Sequence, residues 1–132
     1  MRVKTSELTG RALDWAVATC EGRAPLYDMH SHGRIWRGWW LSKGGEYEEL
    51  PYYSTDWAQG GPIIEREKLC IGYRYQCDPA YCNLLDRDII CWARTTAGGY
   101  LKYGPTPLIA AMRCYVTRKL GDEVDVPEEL IK

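Results

Sequence analysis

The residues best suited to hold a ligand lie in the middle of the chain, where an acid, an indole, an amide and two glycines occur close together. They are Asp56, Trp57, Gln59, Gly60 and Gly61. Trp57 offers a face on which a base can stack, and Asp56 and Gln59 offer specific hydrogen bonds. The glycines let the backbone approach a ligand closely. We interpret residues 51–62 as a binding loop. They also suit a structured connection in which Trp57 fills the core.

A second candidate site is the helix start at Thr106 and Pro107. The Thr106 hydroxyl can accept a free backbone N–H of the first turn, and Pro107 suits the first helical position. A helix N-terminus with an open approach can bind an anion. Nearby, Tyr103 offers a stacking face and Arg113 a positive charge. The same pattern is also typical of an ordinary loop-to-helix joint.

A third candidate is the stretch 34–41, in which Arg34 and Arg37 alternate with three tryptophans. Such a mixture can stack and clamp a nucleotide or a single strand. The stretch is also typical of a β-hairpin with a turn at residues 42–45, whose arginines lie over aromatic faces.

Metal and catalytic signals are weak. Four of the six cysteines lie between residues 70 and 91 without forming a C-x-x-C pair: Cys70, Cys77, Cys82 and Cys91. They suit buried thiols at least as well as a zinc site. His30 and His32 have no clear third ligand. No P-loop, dinucleotide fingerprint, H-E-x-x-H helix or G-x-S-x-G elbow occurs, so we predict no catalytic residue, metal or cofactor.

Two helices must position these groups. An apolar stripe at helical spacing predicts one helix over about residues 6–21, capped by Thr5 or Ser6 and ended by Gly22. The second runs over residues 107–120, and Gly121 ends it.

Strands are predicted for residues 1–4, 69–75 and 88–94, the last two pairing antiparallel. The sequence therefore indicates an α+β fold, a small antiparallel sheet packed by two main helices. We expect residues 1–132 to form a single domain in which residues 122–132 are an extended acidic tail.

Composition narrows the function. The chain has 132 residues and a net charge of −1, which argues against a duplex nucleic-acid binder. No apolar run is long enough for a membrane span or a signal peptide, so we expect a cytosolic protein without a membrane partner. The aromatic residues are ten Tyr and six Trp without Phe, which suits half-wet pockets and interfaces.

Three segments of the chain resemble the NinX-type family of small proteins encoded by lambdoid and related phages. They are residues 3–18, 53–65 and 103–126, and most of the resemblance lies in residues 56–64 and 104–113. It brings no established catalytic residues, and it gives the metal site no support. It implies a phage accessory protein that is active in the host cytoplasm.

Together these observations predict a protein that sequesters a small nucleotide-like host molecule, such as an antiviral signal, without catalysis. The expected pocket forms where residues 54–62 meet the helix start at 104–107, near the interface of a homo-oligomer. Two other function classes stay open: an inhibitor that binds a host enzyme, and a metal-assisted enzyme or single-strand binder.

Overall fold

The computed structural model describes residues 1–75, 89–96 and 99–131. These residues form three α-helices and eight strands, which confirms the α+β class. In chain order the elements are β1 (Arg2–Lys4), α1 (Gly10–Cys20), β2 (Leu26–Ser31), β3 (Arg34–Lys43), β4 (Glu46–Glu49), α2 (Trp57–Glu67), β5 (Leu69–Tyr75), β6 (Ile89–Thr95), β7 (Leu101–Gly104), α3 (Pro107–Leu120) and β8 (Glu123–Asp125). Short 3-10 turns lie at Thr5–Glu7 and Glu128–Leu130.

Helix α3 is the centre of the core. Ala110, Ala111, Met112 and Val116 are completely buried within it. Helices α1 and α2 and the strands β5, β6 and β7 all pack against α3. The helix predicted over residues 107–120 is therefore confirmed, and it is the element around which the other described elements are arranged.

The strands form three small antiparallel sheets in the described part of the chain. Strand β1 pairs with β8, β2–β3–β4 form a second sheet, and β5–β6–β7 form a third. The expected β5–β6 pair and the expected hairpin after residue 41 are both confirmed. The predicted start of β6 at Asp88 lies outside the described residues.

The sheet β2–β3–β4, which we call the arm, has few buried side chains. In the described residues of its three strands, Met29 and Leu41 are buried. Leu26, Tyr27, Ile35 and Trp36 are exposed apolar residues. The arm therefore presents apolar side chains that the described core does not cover.

The first helix begins later than its apolar stripe suggests. Thr5 is completely buried, and its hydroxyl donates to the Asp122 carbonyl at 3.1 Å, so residues 5–7 form a separate 3-10 turn. Helix α1 spans Gly10–Cys20. Gly22 follows it with a φ of 78°, a backbone conformation that glycine adopts easily. A tertiary contact, and not a missing helical signal, delays the start.

Residues 57–67 form a helix, where the sequence predicts a loop over 51–62. The helical pattern is not visible in the sequence, because this segment contains three poor helix formers, Gly60, Gly61 and Pro62. The Asp56 carboxylate caps the helix by accepting the Ala58 N–H at 3.0 Å. Gly60 and Ile63 are buried, so tertiary packing outweighs the low propensity.

Strand β8 lies within the segment that we expect to be an acidic tail. It pairs with β1, in a register that joins Val3 to Val124. Val124 and Val126 are both buried, so this part of the segment contributes to the core.

Candidate functional site

The start of α3 is built as the sequence predicts. The Thr106 hydroxyl accepts the Ile109 N–H at 3.1 Å, and Pro107 occupies the first helical position. Gly104 packs so closely on the helix that an added Cβ would lie 2.8 Å from the Ala110 nitrogen. The last residues of β7 and the first turn of α3 therefore touch, and the residues between them are held in a fixed place.

Beside this joint lies a cavity of about 570 Å³, which we call the hollow. It is lined by Ser6, Ile90, Leu101, Lys102, Tyr103, Gly104, Pro105 and Arg113. Tyr103 and Arg113 are two of the predicted ligand residues. Sequence reasoning missed Ser6 and Lys102: the pattern around Ser6 indicates a helix cap, and Lys102 precedes Tyr103 in the chain without a pattern that marks it as a ligand residue.

Arg113 places a partly buried positive charge at the hollow. Its Nε donates to the Leu8 carbonyl at 2.7 Å, and its Nη1 donates to the Tyr103 carbonyl at 2.8 Å. Burial lowers the pKa of the guanidinium below its ordinary value. No described carboxylate forms an ion pair with it. A half-buried positive charge thus faces the hollow, and none of the carboxylates in the described part of the chain neutralises it.

A second cation, Lys102, lies close by. Its ammonium is 3.6 Å from the carboxylate of Asp122, whose side chain is 87% exposed. Lys102 and Ser6 also line a neighbouring cavity of about 670 Å³, whose lining contains both bases and acids: Arg2, Lys4, Asp122 and Glu123. Because water screens the exposed Asp122 carboxylate, the pair is weak, and Lys102 can turn toward an anion in the hollow.

The other predicted ligand residues lie on or beside α2. The Asp56 carboxylate caps α2 by accepting the Ala58 N–H. Trp57 follows at the first helical position and is 51% exposed. A Cβ added at Gly60 would collide with the Tyr53 carbonyl and would lie 2.6 Å from Leu108 Cδ1. Gly60 is therefore a packing residue that lets α2 approach α3.

Leu108 and Arg113 show how the two groups of predicted residues are arranged. The two positions are about 140° apart around α3, at 3.6 residues per turn. Leu108 meets α2 through Gly60, whereas Arg113 contacts Leu8 and Tyr103. Residues 54–62 and the hollow therefore lie on different sides of α3, and they do not form the single pocket that the sequence suggests.

The side of α3 that meets α2 contains a network of paired charges. Arg66 donates to the two carboxylate oxygens of Glu21 at 2.9 and 2.7 Å, and the Tyr115 hydroxyl donates to Glu21 at 2.7 Å. Burial acts to raise the pKa of Glu21, but these hydrogen bonds outweigh it and hold the pKa below its ordinary value. Each of these charges has a partner, as in a structural contact.

The predicted stretch in the arm forms strand β3. Trp36 and Trp40 pack edge to face with centroids 5.3 Å apart, and Arg37 lies 3.5 Å from Asp28. The expected stacking of arginines on these rings is not seen: in the described residues, cation–π pairs involve Arg11, Arg66, Arg74 and Arg94 instead.

The metal candidates are not brought together in the described residues, where no group of three or more His, Cys, Asp or Glu could hold a metal ion. Cys70 pairs in register with Arg94, and Cys91 with Tyr73, which places the two cysteines on opposite faces of the sheet. Cys77 and Cys82 lie outside the described residues. His30 and His32 line a cavity of about 330 Å³ in the turn of the arm.

Comparison with known protein families gives a match over most of the chain. The family described as Bacteriophage P22, NinX matches residues 4–119, which span most of the chain. None of the curated proteins compared with the chain matches it. A helix able to span a membrane would have to be longer and more apolar than any helix of the described residues.

Proposed function

The chain belongs to the phage P22 NinX family and is a phage accessory protein, and from that premise we propose that it binds and sequesters a nucleotide-type host molecule. The ligand occupies the hollow beside α3, and it is held without catalysis. The chain acts in the host cytoplasm, and it lowers the free concentration of a nucleotide signal that the host uses against the phage.

The observation that carries this proposal is the charge of Arg113, with which no carboxylate of residues 1–75, 89–96 and 99–131 pairs. Such a half-buried guanidinium loses hydration and recovers it only partly from two carbonyl groups. A phosphate in the hollow would supply the missing negative charge, and charge-assisted hydrogen bonds to phosphate are strong. The desolvation that lowers the pKa of Arg113 is a cost that the attraction to a bound phosphate would offset.

The rest of the hollow fits the other parts of a nucleotide. Tyr103 is 38% exposed and offers a ring for stacking. Ser6 and Lys102 offer a hydroxyl and a second positive charge. The volume of about 570 Å³ lies within the range of small-molecule sites.

Binding without turnover is favoured by the chemistry of the lining. The described residues that line the hollow include no carboxylate, histidine or thiol, the groups that most readily exchange a proton near neutral pH. The lysine and the tyrosine of the lining are engaged in the fold: Lys102 pairs with Asp122, and the Tyr103 hydroxyl accepts from Arg74. The lining therefore supports a binding protein over an enzyme.

The experiment is titration calorimetry of the purified protein with ribonucleoside mono- and triphosphates and with inorganic phosphate. Chromatography of the ligand after incubation detects turnover. We expect a nucleotide to bind, to raise the melting temperature and to be recovered unchanged. Arg113→Gln should weaken binding at least 10-fold, and Tyr103→Leu should weaken it more than Tyr103→Phe, which keeps the ring.

The matched control is Arg118→Gln, which removes a charge from the same helix but outside the hollow. The Arg118 guanidinium lies 3.7 Å from Glu67. If Arg118→Gln weakens nucleotide binding as much as Arg113→Gln, binding is nonspecific and the proposal is wrong. Recovery of a converted nucleotide would contradict sequestration and would favour an enzyme.

The other predicted ligand residues are not among those that line the hollow: Asp56, Trp57, Gln59, Gly60, Gly61 and Thr106. We therefore expect a nucleotide to bind in the hollow without contact to them, and Trp57→Ala tests this expectation.

A second candidate function is protein binding, and the exposed apolar residues of the arm favour it. Tyr27 is 48% exposed and Ile35 is 51% exposed, on neighbouring strands. Exposed apolar patches mark interaction surfaces. The occupant would be a second copy of the chain, as the expected homo-oligomer requires, or a host enzyme that the chain inhibits.

Sedimentation separates these two occupants. If the protein is a dimer that the double variant Tyr27→Ser/Ile35→Ser dissociates, the arm is the homo-oligomer interface. If the protein is monomeric at all concentrations, the arm is free for a host enzyme. If it is a dimer that the double variant leaves intact, the arm is not the interface between copies.

A further inference from the structure

The sheet β5–β6–β7 has one face against the core and one face that the described residues leave open. Cys91, Ala93 and Thr95 are buried on the first face, where α3 packs. Side chains alternate along a strand, so the residues between them point the other way. On this outer face, strand pairing places Trp92 between Gly72 and Tyr103, and Arg94 beside Leu101. We call this open face the platform.

Trp92 lies against the backbone of the neighbouring strand. A Cβ added at Gly72 would be 2.6 Å from Cζ2 and 2.8 Å from Cε2 of the indole. The glycine therefore provides the space in which the ring lies on β5. Trp92 also stands directly opposite Tyr103 on β7, so two aromatic side chains stand side by side on adjacent strands.

Two arginines flank these rings. The Arg74 guanidinium lies 5.3 Å from the Tyr103 centroid, and its Nη1 donates to the Tyr103 hydroxyl at 2.8 Å. The Arg94 guanidinium lies 5.7 Å from the Trp92 ring. With Leu101, these four side chains line a cavity of about 190 Å³.

The platform is continuous with the hollow. Leu101 and Tyr103 line both cavities. None of the described residues that line either cavity is acidic, and neither Arg74 nor Arg94 forms an ion pair with a described carboxylate. Three arginines with which no described carboxylate pairs thus follow one another from the platform to Arg113.

We propose that the platform binds a second base, so that the ligand class of this protein is a single-stranded oligonucleotide of two or more nucleotides. The inference rests on the proposed function, because the first nucleotide occupies the hollow. The next base stacks on Trp92, and Arg74 and Arg94 hold the phosphates that flank it. Rings on a sheet face with flanking cations are typical of single-strand recognition.

A single strand fits this surface better than the other anionic polymers. In a duplex the bases are stacked inside and cannot reach Trp92, and the net charge of −1 gives no general attraction to duplex DNA. An acidic peptide would use the arginines but would gain little from the flat indole. The contribution of stacking on Trp92 to the affinity therefore distinguishes a single strand from an acidic peptide.

The experiment measures the affinity of the full chain for thymidylate and uridylate probes of one, two and four nucleotides with a 5′-phosphate. We expect the dinucleotide to bind at least 5-fold more tightly than the mononucleotide, as one stacked base contributes in comparable sites. In Trp92→Leu this gain should disappear, while mononucleotide affinity stays within 2-fold of the wild type. Arg94→Gln, an exposed substitution, should reduce the gain and its salt dependence.

The matched control is Tyr73→Leu. Tyr73 is 66% exposed on the same sheet, but it points to the opposite side of β5 from Gly72. It should leave the gain unchanged. An equal loss in Tyr73→Leu and Trp92→Leu would overturn the inference.

The remaining outcomes separate this inference from the proposed function. If the mononucleotide binds as tightly as the dinucleotide, the platform inference is wrong while the proposed function stands. If the affinity gain of the dinucleotide is lost in Trp92→Leu but Arg113→Gln leaves the affinity unchanged, the hollow does not hold the first nucleotide, and binding of a base on the platform stands. If a glutamate-rich peptide of equal charge binds as well as the tetranucleotide, the platform recognises charge alone and the inference is wrong.

Discussion

The two sides of α3 use their charges differently. On the side that meets α2, the Glu21 carboxylate receives hydrogen bonds from Arg66 and Tyr115. On the side of the hollow, Arg113 donates to two carbonyl groups, and no described carboxylate pairs with it. On the α2 side the charges neutralise each other, whereas on the side of the hollow the described residues supply no carboxylate that pairs with Arg113.

This difference separates groups that stabilise the fold from groups that can bind a ligand. A paired buried charge is costly to disturb, because its partner is left without compensation. An unpaired half-buried charge already carries that cost, so its removal should weaken ligand binding more than stability. Substitutions on the α2 side should therefore change unfolding, and substitutions beside the hollow should change affinity.

The largest effect is expected for Gly60→Ala. The new methyl group would collide with the Tyr53 carbonyl and the Leu108 side chain, and would push α2 away from α3. Overpacking of this kind costs about 2 kcal/mol in the free energy of unfolding, which urea denaturation measures. The control is Gly61→Ala, whose methyl would lie 3.9 Å from Trp57. Equal stability of the two variants would show that α2 does not pack closely on α3.

The next largest effect is expected for Glu21→Gln, which removes the charge between Arg66 and Tyr115. We expect a loss of about 1–2 kcal/mol at pH 7, since hydrogen bonds to charged groups are strong but Arg66 is half exposed. Because the pKa of Glu21 is lowered by folding, its stabilisation is present above the ordinary pKa of 4.5 and is lost on acidification through the folded pKa.

Urea denaturation between pH 3 and 7 tests this dependence. The difference in stability between wild type and Glu21→Gln should shrink as the pH falls. Burial raises the pKa of Asp14, so that carboxyl contributes with the opposite sign in both proteins and cancels in the difference. Glu65→Gln, an exposed substitution on α2, should show no such trend. A constant difference across this range would mean that the Glu21 pKa is not lowered.

A smaller effect on stability is expected for Arg113→Gln without ligand. The variant loses donors to Leu8 and Tyr103, but it also removes a poorly hydrated charge, so the net loss should be below about 1 kcal/mol. With a bound nucleotide the wild type should gain stability that the variant does not. A loss in the free protein larger than that of Glu21→Gln would reverse the comparison and make Arg113 a structural residue.

The smallest effect is expected for Trp57→Ala. The side chain is half exposed at the first turn of α2, so unfolding should change by less than about 0.5 kcal/mol. Nucleotide affinity in the hollow should stay within 2-fold, as calorimetry would measure. A large loss of affinity would instead bring the α2 residues into the ligand site and join the two sides of α3.

The sequence predicts α3 well because its boundaries depend on local chemistry. Thr106, Pro107 and Gly121 act on their own backbone neighbours, and such signals are visible in the chain itself. The pairing of β5 with β6 is equally visible in the alternation of their residues. Helix α2 is hidden because Gly60 and its neighbours have low helix propensity and are helical only through packing on α3.

The candidate site could be predicted only in part. Tyr103 and Arg113 lie close together along the chain, at the two ends of one strand-to-helix joint. Ser6 and Lys102 reach the hollow through the 3-10 turn at residues 5–7 and the position of β7, which depend on tertiary contacts. The platform has a sequence signal, since Trp92 and Arg94 alternate with buried residues on β6. The role of Gly72 is visible only once the register of β5 and β6 is known, because the register places Gly72 opposite Trp92.

The pairing of β1 with β8 has a consequence for how the protein is made. Arg2 finds its partner, Asp125, roughly 120 residues later in the chain. A ribosome takes about 6–24 s to synthesise that length, and during this time β1 has no strand to join. The turn at residues 5–7, and with it Ser6 of the hollow, gains its contact with Asp122 only after synthesis of α3. Formation of the hollow should therefore begin only after Asp122 has been synthesised, so a nascent chain stalled after α3 but before Asp122 should not bind nucleotide.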